Sequence, residues 1–223
     1  MVSWLPICRV VAGVVVCAAL AACSSPQARF HSLLGGDADS VAVAARAQAP
    51  ARAFFVDVVS VRVPPSVAGR RLVVRAGSGQ VDVLEMDRWA SPVADEIRAA
   101  LASGLALQTG AMDRHGLPSD EKRPIYRVAV DVQRFDAWRG SHVLIDAVWT
   151  MRTADDRQLL TCRSVVREDV SAGIDGVVEG HRRALRALAS QMGNALEAYT
   201  AAPSGVGRTM PDCLYSAANT AGK

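Results

Sequence analysis

From Phe54 to Val63 the chain is apolar on both parities and rich in β-branched residues until Pro64 and Pro65 interrupt it, a pattern that predicts a central strand. Arg71–Arg75 and Gln80–Leu84 flank Gly77-Ser78-Gly79 and predict a hairpin. Ser91 and Pro92 then open a helix as N-cap and first helical residue, with Asp95 and Glu96 favourable in its first turn. Its apolar stripe is Val93, Ile97, Leu101 and Leu105, with Ala94, Ala100 and Ala102 permitting close approach. Residues 112–124 are polar and carry Gly116, Pro118 and Pro124, the composition of a loop. Three alternating runs follow, Tyr126 to Val132, Val143 to Met151 and Leu160 to Val166, and predict an antiparallel meander whose first turn is Arg139-Gly140-Ser141. A last helix starts near Asp175-Gly176 and carries Val178, His181, Leu185, Leu188, Met192 and Leu196 at spacings of three and four, with Glu179 one turn from Arg183. The order strands-helix-strands-helix, a ββα-type repeat, predicts a two-layer α+β domain over residues 54–200, a largely antiparallel sheet with both helices on one face. The tail, 201–223, is rich in small residues and predicted flexible unless Cys213 ties it down.

The first residues change the picture. An apolar run (Val10, Val11, Val14, Val15, Val16, Ala18, Ala19) follows Arg9, with no acidic residue before it, the layout of a secretory signal over 1–22. It is shorter than the roughly 20 apolar residues a bilayer crossing needs. Leu20-Ala21-Ala22-Cys23 resembles the lipobox of bacterial lipoproteins, which implies cleavage before Cys23 and acylation of its thiol and new amino group. The alternative is an ordinary signal with Cys23 near the cut. Several acyl chains, at about 0.8 kcal/mol per buried methylene, hold a protein on a membrane permanently. Ser24 in place of aspartate resembles the sorting pattern that sends Gram-negative lipoproteins to the outer membrane, facing the periplasm. Residues 23–53 hold the anchor, a possible strand at 30–34 and an Ala/Gly-rich linker. If that strand joins the sheet, six residues separate lipid from fold and the domain stays within about 20 Å of the membrane. If it stays loose, the tether spans about 30 Å.

Composition narrows the chemistry. Without residues 1–22, 201 residues remain with 24 Lys+Arg against 22 Asp+Glu, a near-neutral mixture unlike a nucleic-acid surface. Cys8 and Cys17 leave with the signal, so Cys162 and Cys213 are the remaining candidates for a disulfide in an oxidising compartment, or stand as two separate thiols. His31, His115, His142 and His181 show no metal-ligand spacing with another histidine or a cysteine. No G-x-S-x-G elbow, phosphate loop or H-E-x-x-H occurs, so no enzyme and no cofactor beyond the covalent lipid is expected. A weak alternative is a periplasmic lipid esterase using His142 or His181. Arg70, Arg71 and Arg75, or Arg182, Arg183 and Arg186, meet anionic headgroups or form solvated, salt-bridged faces.

One stretch carries a wider likeness. Arg71–Arg75, a glycine turn, Val81-Asp82-Val83 and then Trp89-Ala90-Ser91-Pro92-Val93 resemble the hallmark segment of PqiC-like ABC-type transport auxiliary lipoproteins, with Val93 in place of the usual leucine. Phe30-His31-Ser32-Leu33 is similar to the family's segment after the anchor, and Val63-Pro64-Pro65 to the proline ending its next strand. In this sequence Trp89 is positioned to act as a hydrophobic staple and Pro92 to fix the first turn, while Arg75 pairs with an acid, meets a partner or stands as a solvated strand end. The resemblance implies a non-catalytic subunit supporting membrane integrity. Its partner would be a periplasmic protein of the mammalian-cell-entry (MCE) type within a lipid transport system, whose tunnel it tethers to the outer membrane, with self-association into a ring as one possibility. The alternative of another class is a lipoprotein assisting an outer-membrane export machine.

Overall fold

The computed structural model describes residues 27–35, 54–116, 123–153, 158–201 and 213–215. The signal, Cys23, Ser24, and the linker beyond Gly35 lie outside them. Along the chain run β1 (Arg29–His31), β2 (Phe55–Arg62), β3 (Arg71–Arg75), β4 (Val81–Trp89), α1 (Val93–Thr109), β5 (Ile125–Trp138), β6 (His142–Thr153), β7 (Gln158–Asp169), α2 (Ile174–Ala201) and β8 (Cys213–Tyr215).

The fold is α+β, as the periodicities predict, but its strands form two sheets rather than one: β1-β4-β3 and β2-β5-β6-β7-β8. β1 pairs parallel with β4 and β2 parallel with β5, while the other pairs are antiparallel. Within the hairpin β4 is irregular. Arg71 faces Arg88 whereas the next residue, Leu72, faces Leu84, and extra residues on one strand bend the pair.

β2 stands at a sheet edge, not at the predicted centre. Its apolarity on both parities has two causes. Val56 and Val58 face the core, and the Phe55 ring on the other side is covered by the guanidiniums of Arg114 and Arg123, 4.7 and 4.0 Å from its centroid.

The helices share one core with the sheets, joining Ile97, Leu101 and Leu105 of α1, Leu185, Leu188 and Met192 of α2, and Val128, Ile145 and Trp149 of the meander. They approach closely, since a Cβ on Gly104 would stand 2.6 Å from that of Ala189. The α1 start differs from expectation. Pro92 has extended dihedrals (φ −50°, ψ 138°) and occupies the cap position, so the helix begins at Val93 and Ser91 is free for another bond. Gly110 ends α1 in the left-handed region (φ 70°), its N–H donating to Ala106 O. On α2, Glu179 pairs with Arg182 and Arg186 rather than Arg183, which turns to Glu168.

The tail after Ala201 contributes β8, aligned with Leu160–Cys162 of β7, and a disulfide joins the directly opposed Cys162 and Cys213. The expected outcome of alkylating the mature folded protein is that neither thiol reacts before reduction and both react after it. Modification of either in the oxidised protein would break the pair.

Candidate functional site

The residues nearest the candidate lipid attachment are held by carboxylates from two elements and a guanidinium from a third. β1 lies parallel to β4, and beyond it the Ala90 amide donates to His31 O at 2.7 Å. On β4, Asp87 is 8% exposed; its Oδ2 accepts from Arg29 Nη2 at 3.1 Å, and its Oδ1 lies 2.9 Å from His31 Nε2. Burial raises the Asp87 pKa, and the hydrogen bonds from His31 and Arg29 outweigh it, leaving the carboxyl below its ordinary value.

In the first turn of α1, Glu96 is 5% exposed and accepts four hydrogen bonds. Ser32 Oγ and the Leu33 amide donate to Oε2, both at 2.8 Å. The Ser91 amide and Oγ donate to Oε1 at 3.0 and 2.8 Å. From α2, Arg182 donates through Nε and Nη2 to Ser32 O at 3.0 and 2.8 Å. Leu33 is thereby seated in the core, 2% exposed, a burial that contributes about 2 kcal/mol.

The hallmark residues serve this seat. Trp89 ends β4 and packs inward against Phe135 and His181, with centroids 6.2 and 6.3 Å away. Ser91 binds Glu96, and Pro92 sets where α1 begins. Arg75 is distant from them, its Nε and Nη2 donating to Asp136 Oδ1 at 3.0 and 2.8 Å with Trp138 alongside. The spacing reading misses Glu96, because Ser91 and Glu96 are five apart rather than the three of a capping box. The nearest signal was the acidic first turn itself.

The histidines are not brought together. His115 meets Asp57 at 3.1 Å on the surface. His142 stacks on Trp138, and Ser141 Oγ lies 2.9 Å from its Nδ1, with no carboxylate bonded to the other ring nitrogen among the described residues. Burial first, then Arg167, lowers the His142 pKa. Asp146, which shares its strand face, is instead engaged by Arg163 at 2.9 and 2.7 Å, and those hydrogen bonds hold its pKa below the ordinary value. His181 lies 1% exposed and stacked on Phe135 at 3.9 Å with Nδ1 unpartnered, and burial pushes its pKa down to about 3. Among the described residues there is no group of three metal-binding side chains, and no helix is long and apolar enough to cross a membrane.

The family described as ABC-type transport auxiliary lipoprotein component matches residues 37–193. The chain belongs to this family. Among solved structures, this auxiliary lipoprotein is similar to an uncharacterised protein at TM-score 0.54 and 16% identity, covering 77% of this chain and 99% of that one. It is similar to a Xanthomonas campestris protein at TM-score 0.54 and 20% identity, covering 68% and 86%. At these identities the likeness is one of fold. Among curated proteins none matches the chain. The family match begins after β1, so the clasped segment precedes the matched residues of this auxiliary lipoprotein.

Two outcomes follow from this geometry. Glu96→Ala removes the acceptor of four donors and is expected to lower stability by about 2–4 kcal/mol, read from denaturant midpoints at unchanged m-value. His181 has a folded-state pKa far below its unfolded value of about 6.5, so the unfolded chain binds its proton first as the pH falls. Stability is then expected to drop by about 1.4 kcal/mol per pH unit from about pH 6.5 toward about pH 3, and His181→Leu to remove that component.

Proposed function

We propose that this auxiliary lipoprotein is anchored by acylated Cys23 in the outer membrane, faces the periplasm, and acts without catalysis as the membrane-side attachment of a lipid-conveying conduit built from an MCE-type protein. The observation that carries the reading is the clasp on β1. Five residues separate Cys23 from Arg29, so the body stays within about 20 Å of the lipid rather than drifting on a long tether. Such a leash suits a part that fixes the end of a larger assembly at a membrane. A shared symmetry with a ring-shaped partner would extend the same role.

Two measurements test it. Cys23→Ala is expected to abolish labelling by radioactive fatty acid and leave an uncleaved or soluble protein, whereas persistent labelled lipid on that variant contradicts the anchor. Affinity capture of the acylated protein in mild detergent is expected to retain an MCE-type protein. Retention of an outer-membrane barrel in its place would overturn the partner.

A further inference from the structure

We propose that the outward face of the three-stranded sheet, around Phe30, Arg70, Arg71 and Arg88, rests on the surface of an anionic bilayer. Directly paired residues project from the same face of a sheet. The register sets Phe30 opposite Arg88 and Arg88 opposite Arg71, so one row crosses all three strands. Along β4 this row alternates with Asp87 and Trp89, which turn inward.

The row has the chemistry of an interfacial surface. Phe30 is 59% exposed, with the Arg70 guanidinium 5.8 Å from its centroid. Arg70 donates to the carbonyls of Trp89 and Ala90, and Arg88 to that of Glu85, while Arg71 pairs with the Glu85 carboxylate. One of the three cations is thus paired with a carboxylate and two with backbone carbonyls, which leaves positive charge for lipid phosphates. Further along β4, Met86, Val83 and Val81 are 38%, 42% and 47% exposed. Apolar side chains set among arginines seat a surface at the boundary of headgroups and acyl chains.

The chain itself selects a bilayer as the occupant. Phe30 belongs to the strand that begins six residues after Cys23, so an acyl group there holds this face within about 20 Å of the membrane. The inference rests on acylation of Cys23.

The test uses full-length acylated protein in vesicles of phosphatidylethanolamine and phosphatidylglycerol, with a nitroxide on Phe30→Cys or, for comparison, on Val165→Cys in the other sheet. Collision rates with oxygen and with a nickel chelate give depth. The label at 30 is expected at headgroup-to-acyl depth, its nickel collisions several-fold fewer than at 165. Replacing phosphatidylglycerol by phosphatidylcholine, or combining Arg70→Glu, Arg71→Glu and Arg88→Glu, is expected to return it to water while the protein still floats with the vesicles. An acylated protein whose label at 30 is as wet as that at 165 overturns this inference alone. Mature protein without acyl groups by mass spectrometry overturns the anchor reading as well.

Discussion

One buried carboxylate joins β1, the turn after β4 and α1. Glu96 takes donors from Ser32 and Leu33 on one oxygen and from Ser91 on the other, so a single side chain ties the β1 segment to the start of α1. A carboxylate removed from water is costly unless its lone pairs are filled, and here four donors fill them. Without them the charge would have neither solvent nor partner. Asp87 and Arg182 repeat the device from β4 and α2, so three elements hold one short segment.

The same arrangement changes how the hallmark stretch is understood. Trp89, Ser91 and Pro92 lie where β4 passes into α1. They shape the place where β1 docks, and Arg75 secures the β3 end against Asp136 of β5, linking the two sheets. The basic cluster of α2 is likewise engaged internally, with Arg182 on Ser32 O and Glu179, Arg183 on Glu168, and Arg186 on Glu179. The α2 cations therefore serve packing, whereas Arg70 and Arg88 beside Phe30 bond to backbone oxygens.

Elements with a clean period were legible from sequence. β5, β6 and β7 alternate at period two, and the α1 and α2 stripes are wholly buried, because one face of each meets the core. What pairs with what was less legible. Apolarity on both parities of β2 has two physical origins, a central position or an edge strand with one face under arginines, and the pattern does not distinguish them. The partner of Arg75 lies 61 residues on, and that of Leu33 lies 63 residues on, beyond any local spacing rule. Glu96 looked like a helix-dipole residue because its other role depends on a segment far away in the chain.

The parallel pairing of β1 with β4 bears on how force enters the body. A tug on the N-terminal side of β1 runs along the strand axis, so the backbone bonds to β4 and the grips of Asp87, Glu96 and Arg182 are strained together in shear. They do not peel away singly from one end. A clasp of this kind resists tension along β1 better than its three residues of strand would suggest.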